Sequence, residues 1–264
     1  MDPTAAALSA AKTRLRKVVA SRLKNLSYDS IVCQSSNIAD IVRSLPEYKT
    51  AKNVALYMHM DVSHSVPRKS GMNVEVHTDK IIENAMADGK EVYLPRIVPM
   101  TEIRSDLRKM FHMAQHKLHS QKESHFTPKL FLQMLRVPRD EAVGDLEADN
   151  EVHGFAIKEP TGGDDVYDQS GLDLIIVPGL VFNSSCKRIG RGKGFYDSYI
   201  EQHKVWSESQ GRRSPYLVGI GFHEQLISLN DDSAQEDKSF PCEEHDQILD
   251  TLVIGDQVFK QPSE

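Results

Sequence analysis

One short segment of the chain concentrates residue types that bind phosphate. Residues 187–197 read KRIGRGKGFYD, and four residues separate them from the apolar run LDLIIVPGLVF. Alternating glycines let the backbone turn its amides towards an anion, and the N-terminus of a following helix adds its positive dipole end. Arg188, Arg191 and Lys193 are mobile cations, and Asp197, one turn into that helix, could hold a divalent metal ion that bridges phosphates.

The segment is not one of the standard phosphate-binding motifs. Lys193 is followed by Gly194 rather than Ser or Thr, which excludes a Walker loop. The G-x-G-x-x-G spacing fails too, because its last position falls on Phe195 or Asp197. A glycine-rich surface turn with solvated charges is the alternative. The segment lies between a buried strand and a helix, and this position favours phosphate binding, since α/β sheets bind ligands where parallel strands end.

The elements around this segment are predicted from hydrophobic periodicity. Helices are expected at residues 5–24 and 30–45, within VHTDKIIENAMADG and at FYDSYIEQH. Strands are expected within KNVALYMHM, at Glu91–Leu94 and within LDLIIVPGL, PYLVGIGF and DTLVIG. Strands that alternate with helices indicate a single α/β domain, in which a largely parallel sheet is flanked by helices in a Rossmann-like three-layer arrangement.

Three polar tracts interrupt this alternation, at residues 63–74, 98–130 and 229–240. Long loops are uncommon inside compact domains, so the tracts are interpreted as surface insertions that are mobile or disordered. In the second tract, His112, His116 and His119 are spaced i, i+4, i+7 and could bind a metal ion. Without a carboxylate in a defined role, a solvated helix face is the favoured interpretation.

Composition sets limits on the function. The chain has 264 residues and a formal net charge of −6, which argues against general binding to nucleic acid or membrane surfaces. No apolar run approaches the roughly 20 residues that cross a bilayer. Cys33, Cys186 and Cys242 form no C-x-x-C pair, so neither a disulfide framework nor a zinc site is predicted, and a reducing compartment is favoured.

The N-terminus is basic and amphipathic, a pattern that mitochondrial presequences share with ordinary first helices. Asp2 and Pro3 come first, and the apolar core of a secretory signal is absent. We therefore expect a first helix and a cytoplasmic protein, with the mitochondrial matrix as the alternative location.

The central segment resembles the signature of the 5-formyltetrahydrofolate cyclo-ligase (5,10-methenyltetrahydrofolate synthetase) family. The stretches that carry the resemblance are LDLIIVPGLVF and RIGRGKGFYDSYI. Others fit the family in the same order along the chain: AAKTRLRKVVASRLKNLS, NVALYMHM, EVHTDKII, GKEVYLPRI, MLRV, FAIKEP, LVGIGFHEQLI and EEHDQILDTLV. The likeness covers most of the chain outside the three tracts, and it implies one domain of this family over residues 1–264.

The resemblance implies an ATP-dependent ligase with Mg²⁺ as its metal ion. Such an enzyme converts 5-formyltetrahydrofolate, with or without a polyglutamate tail, and MgATP to 5,10-methenyltetrahydrofolate, ADP and phosphate. The implied intermediate is an imidate phosphate, in which the formyl oxygen carries the γ-phosphoryl group. The expected protein is a monomer that binds neither nucleic acid nor membranes.

The resemblance also implies roles for individual residues around the nucleotide. Those expected to surround the ATP phosphates are Lys12, Arg16, Arg188, Gly190, Arg191, Gly192, Lys193 and Gly194. Arg191, Lys193 and Tyr196 are the expected catalytic residues. Asp197 and Asp246 would hold magnesium directly or through water, although Asp246 read alone is a loop carboxylate.

The folate pocket is implied at Met58, Glu75, Phe155 and Tyr196. The Glu75 carboxylate would accept hydrogen bonds from the pterin ring, and Tyr196 would stack on the pterin, donate to a phosphate or simply pack its helix. Met58 and Phe155 taken singly read as core residues. A different alignment of the first polar tract would put Asp61 or Ser63 in the place of Glu75.

Three residues depart from the family signature. Asn183 replaces an aspartate, Cys186 stands where a turn glycine is common, and Phe195 replaces a frequent tyrosine. A non-glycine residue at Cys186 is costly if its φ is positive. These departures bear on the rate rather than on the class of reaction.

Two other functions fit the same features less well. A non-catalytic relative could bind a nucleotide or RNA through the basic loop, but the chain is acidic and lacks an RNA-recognition aromatic motif. A small-molecule kinase would need a general base near the transferred phosphate, whereas the expected trio Met58, Glu75 and Phe155 fits a folate pocket.

Overall fold

The structure, a computed structural model, describes residues 3–60, 74–118, 129–138, 147–148, 158–227 and 240–262. A seven-stranded sheet with the order β11-β10-β9-β6-β1-β2-β3 forms its centre. Its strands are β1 (Asn53–Ala55), β2 (Glu91–Pro99), β3 (Leu130–Arg136), β6 (Leu174–Val177), β9 (Tyr216–Gly221), β10 (Thr251–Ile254) and β11 (Gln257–Lys260). Two small antiparallel pairs join β4 (Glu147–Ala148) to β5 (Lys158–Glu159), and β7 (Val181–Phe182) to β8 (Arg188–Ile189).

Five neighbouring strands of the large sheet, β10, β9, β6, β1 and β2, are parallel. Both edge strands are antiparallel, β3 to β2 and β11 to β10. The predicted α/β fold with a largely parallel sheet is confirmed. The two antiparallel edges are an addition that the alternation of strands and helices did not predict.

Helices cover both faces of the sheet. They are α1 (Pro3–Lys24), α2 (Tyr28–Ser44), α3 (Pro46–Thr50), α4 (Asp79–Ala87), α5 (Ser105–Leu118) and α6 (Phe195–Ser209). One core cluster joins α1, α2 and α4 to the sheet, and a second joins α5 and α6 to its other face. Strand β6 serves both clusters because side chains alternate along a strand: Leu174 and Ile176 lie in the first cluster, Ile175 and Val177 in the second. This is the predicted three-layer arrangement.

Local sequence explains the helices that position the site. In α1, the buried residues Leu15, Val19 and Leu23 recur every four positions and dock it on the sheet. The side chain of Ser27 caps α2 by accepting a hydrogen bond from the Ser30 amide at 3.2 Å. Among the described helices, none is both long and apolar enough to cross a membrane.

The second polar tract is more structured than its composition suggests. It contains the end of β2 and the helix α5, whose side chains Leu107, Phe111 and Ala114 are buried in the core cluster on that face or against it. The expectation of a mobile or disordered segment is therefore wrong for residues 105–118, where the apolar residues recur at helical spacing. His112 is exposed, and His119 and residues 63–73 and 229–239 lie outside the described parts of the chain.

Candidate active site

The basic segment is held at the carboxyl end of β6 by a hairpin. Strands β7 and β8 pair through Val181 with Ile189 and through Phe182 with Arg188. The turn between them is closed by Asn183, whose side-chain oxygen accepts a hydrogen bond from the Lys187 amide at 3.0 Å. Cys186 in this turn has a φ of 57°, so the predicted strain of a non-glycine residue is confirmed.

Residues 190–194 link this hairpin to α6, and we call them the glycine loop. Gly192 has a φ of 95° and Gly194 a φ of 68°, the left-handed region in which only glycine is unstrained. Gly194 is also the residue that precedes the first turn of α6. The free amides at that helix end therefore lie next to the loop, as an anion-binding site requires.

A cavity of about 370 Å³ lies between the glycine loop and α1, and we call it the α1 cavity. Lys12 and Arg16 reach it from α1, and Asp246 from the segment before β10. The Lys12 ammonium lies 2.6 Å from the Asp246 carboxylate and 2.8 Å from that of Glu243. Burial by itself lowers the pKa of Lys12, but the hydrogen bonds and charges of these two carboxylates outweigh burial and raise it above the ordinary value.

Arg16 ties α1 to the glycine loop. Its Nε donates to the Gly190 carbonyl oxygen at 2.8 Å. Burial lowers the pKa of Arg16 from its ordinary value, and the charge of Asp246 opposes that effect. A guanidinium stays protonated in proteins, so Arg16 brings a positive charge to the wall of the cavity.

The expected metal ligands are both paired with cations. Asp197 Oδ1 accepts from the Arg188 guanidinium at 2.7 Å and from the Gln247 amide at 3.1 Å. Within the described residues, the ligand atoms that cluster within 4.8 Å of one another belong to Glu243, His245 and Asp246. Sequence reasoning missed Glu243 and His245, although the run EEHD contains four side chains of metal-ligand type.

A second cavity of about 450 Å³ lies on the other side of the glycine loop, and we call it the Glu75 cavity. The Glu75 carboxylate accepts from the Met60 amide at 3.0 Å and pairs with the Arg191 guanidinium at 2.9 Å. The walls of this cavity are largely apolar, and Met58 is one of the residues that line it. The expected folate residue Phe155 and the alternatives Asp61 and Ser63 lie outside the described residues.

Two phenols lie near the same carboxylate, the buried Tyr57 and the half-buried Tyr196, whose hydroxyl is buried. Burial and the negative charge of Glu75 raise the pKa of both Tyr57 and Tyr196 well above the usual value for tyrosine. Both side chains are therefore neutral at physiological pH and able to donate a hydrogen bond. Among the described residues, no hydrogen-bond partner reaches the Tyr196 hydroxyl.

The two cavities share the glycine loop as a common wall. Six residues line both: Leu132, Gly190, Lys193, Gly194, Phe195 and Asp197. Lys193 is exposed, and no ion pair or hydrogen bond of its side chain is found in the described part of the chain. An exposed cation thus lies at the boundary between the two cavities.

The structure divides the expected cations between the two sides. Lys12 and Arg16 line only the α1 cavity, together with Gly192 and Asp246. Lys193 lines both cavities, together with Gly190, Gly194 and Asp197. Arg188 and Arg191 line the Glu75 cavity, together with Met58, Glu75 and Tyr196. Arg188 has a side chain only 3% exposed and is committed to Asp197, so it orients that carboxylate rather than reaching freely for a phosphate.

Comparisons with known proteins identify the family of this chain. The model of the 5-formyltetrahydrofolate cyclo-ligase family matches residues 8–255. The chain is 30% identical to the 5-formyltetrahydrofolate cyclo-ligase of Saccharomyces cerevisiae, over 94% of this chain and 96% of that protein. It is 29% identical to a Schizosaccharomyces pombe protein named "Probable 5-formyltetrahydrofolate cyclo-ligase", over 96% of this chain and 99% of the relative.

The fold is also found among solved structures. The NMR structure of Aquifex aeolicus 5,10-methenyltetrahydrofolate synthetase superposes with a TM-score of 0.59 at 24% identity, over 96% of this chain and 94% of that one. This likeness concerns the fold, whereas the match to the family model extends over nearly the whole sequence. The chain belongs to the 5-formyltetrahydrofolate cyclo-ligase family.

Proposed function

We propose that this chain converts 5-formyltetrahydrofolate and ATP to 5,10-methenyltetrahydrofolate, ADP and phosphate. The observation that carries the proposal is the glycine loop with one cavity on each side. The α1 cavity has cations and carboxylates suited to MgATP, and the Glu75 cavity has apolar walls and one oriented carboxylate suited to a pterin. A phosphoryl group can then pass from one substrate to the other at the loop.

The reaction needs activation because a formamide oxygen is a poor leaving group. The formyl oxygen attacks the γ-phosphorus, the bond to ADP breaks, and an imidate phosphate forms. N10 of the folate then attacks the activated formyl carbon, which closes the five-membered ring. N10 loses its proton, and the carbon–oxygen bond breaks to release phosphate. Catalysis of such a transfer rests mainly on positioning and on neutralising charge. Lys193 and the loop amides, at the boundary between the two cavities, would do both.

The carboxylates of the α1 cavity suit magnesium by their chemistry. Mg²⁺ prefers oxygen ligands, and Asp197 and Asp246 both line this cavity. When bound, the ion would neutralise charge on the phosphates. Arg188 holds Asp197, and the Glu243 amide holds Asp246 by donating to its Oδ2 at 2.8 Å. These contacts orient both carboxylates before any ligand enters.

The Glu75 cavity orients the folate. A carboxylate can accept two hydrogen bonds from the paired N–H donors of a pterin. Met60 and Arg191 fix the Glu75 carboxylate at the wall of this cavity. The neutral hydroxyl of Tyr196 adds a hydrogen-bond donor near the glycine loop, where charge develops on the transferred phosphoryl group.

The direct test is turnover of the purified chain. With saturating MgATP and 5-formyltetrahydrofolate, we expect the absorbance of the methenyl product to appear in proportion to released ADP. Folded protein that yields no product would refute the proposed reaction, and nucleotide binding without turnover would indicate the non-catalytic relative.

Lys193→Ala tests the position of the phosphates. We expect a loss of about 100-fold or more in kcat, the usual effect of removing one group that stabilises transition-state charge. The matched control is Lys187→Ala, in the same segment but in neither cavity lining, which should retain wild-type turnover. Equal activity of the two variants would place phosphoryl transfer away from the loop.

A further inference from the structure

The α1 cavity extends away from the glycine loop along one face of α6. Phe195, Tyr199 and Gln202 all line it, and their spacing of four and then three residues places them on a single side of the helix. From Phe195 to Gln202 the helix rises about 10 Å. A ligand bound with its phosphates at the loop therefore has room to extend along α6 to Gln202.

This part of the cavity has apolar walls. Phe111 of α5 and Phe131 of β3 line it, with their rings edge to face at a centroid distance of 5.7 Å. Leu130 and Leu132 of β3 complete these walls. The cavity therefore combines a cationic region at the loop with an apolar region between α5, β3 and α6. Nucleotides have the same division between a charged polyphosphate and a flat base.

Gln202 is a buried polar residue in the apolar part of the cavity. It is fully buried, at 0% exposure. Neither its side-chain oxygen nor its side-chain nitrogen has a hydrogen-bond partner among the described residues. A buried amide without partners is unfavourable and rare, so each case calls for an explanation such as a missing ligand. A ligand that satisfies both atoms must offer a donor and an acceptor side by side.

We propose that Gln202 turns its buried side-chain amide into the α1 cavity when ATP binds and recognises the adenine base. Its amide oxygen accepts a hydrogen bond from the exocyclic amino group, and its amide nitrogen donates to the adjacent ring nitrogen, as glutamine does when it binds adenine in nucleic acids. The base lies between the apolar walls of α5 and β3. This inference rests on the proposed function, because it requires the phosphates to lie at the glycine loop.

The variant Gln202→Leu separates binding from structure. Leucine has nearly the same volume and no hydrogen-bonding group, so the free protein loses an unsatisfied amide and should unfold at an unchanged or higher temperature. Its affinity for ATP should fall about tenfold, because the amino group of adenine then lacks its acceptor. If Gln202 served only packing, its replacement would not leave the unfolding temperature unchanged or higher while weakening the binding of ATP.

The decisive experiment compares ATP with purine riboside 5′-triphosphate, which lacks the exocyclic amino group. Dissociation constants are measured calorimetrically with Mg²⁺ and without folate, so that no turnover occurs. We expect the wild-type chain to prefer ATP about tenfold, and Gln202→Leu to bind both nucleotides equally. The matched control is Gln210→Leu, on the exposed residue that directly follows the same helix, which should keep the wild-type preference.

Two results would overturn the proposal. Gln202→Leu could retain the preference for ATP, or it could weaken both nucleotides by the same factor. In either case binding of ATP at the loop would survive and only the role of Gln202 would fail, whereas a wild-type chain that binds no ATP would also refute the proposed function. Gln202→Met, unbranched like glutamine, gives the same comparison if the leucine variant is unstable.

Discussion

The ion pair between Arg188 and Asp197 lies next to the glycine loop, and we expect its removal to lower the free energy of unfolding. The Arg188 side chain is 3% exposed and that of Asp197 is 19% exposed, with 2.7 Å between the charged atoms. Asp197→Ala would leave the guanidinium buried without its counter-charge and would free the Gln247 amide. Breaking a buried pair from one side costs about 3–5 kcal/mol. Asp197 still contacts the cavity, so we expect the lower value of about 3 kcal/mol.

The assay is urea and thermal unfolding of the free protein. A loss of about 3 kcal/mol in a chain of this size corresponds to a fall of roughly 6–12 °C in Tm. The double variant Arg188→Met, Asp197→Ala should regain most of this loss, because a hydrophobic side chain replaces the unpaired charge. It should nevertheless remain inactive, since Asp197 also faces the α1 cavity.

A surface ion pair provides the matched control. Arg104 and Asp168 form a pair in which both side chains are 46% exposed. Asp168→Ala should cost less than about 1 kcal/mol, because solvent screens an exposed pair. If Asp197→Ala unfolds no more easily than Asp168→Ala, or if Arg188→Met brings no recovery, the argument from burial is refuted.

Two further predictions concern Glu75 and a buried histidine. Glu75→Gln should raise KM for 5-formyltetrahydrofolate about tenfold while the Kd for ATP stays constant. The control Glu83→Gln, at an exposed position, should change neither value. An equal loss of affinity for ATP in Glu75→Gln would contradict separate cavities for the two substrates. Burial lowers the pKa of His203 from 6.5 to about 4, and its Nε2 accepts from the Leu172 amide at 3.0 Å. The unfolded chain therefore binds the proton more tightly, so the free energy of unfolding should fall by about 3 kcal/mol as the pH drops from 6.5 to 4. Urea midpoints across this range should show that fall in the wild type, and His203→Gln should lack this component; parallel curves would contradict it.

Much of the fold follows from local sequence. Short apolar runs and amphipathic helical segments alternate along the chain, and this pattern predicted the three layers and the parallel centre of the sheet. The edge strands β3 and β11 were missed. Each forms by pairing antiparallel with the outermost parallel strand, and local periodicity does not show which strand of the sheet is the outermost. The helix α5 was underrated because its polar side chains outnumber the few that are buried.

The sequence by itself determined the glycine loop. Alternating glycines, cations between them and a helix behind them are local features, so their chemistry is visible in eleven consecutive residues. Only the tertiary structure decided how the charges are shared between the two cavities. It paired Arg191 with Glu75 and Lys12 with Asp246, and it left the amide of Gln202 without a partner. The physical reason is that periodicity shows which side of an element is buried, whereas the partner of a buried charge or amide comes from a distant part of the chain.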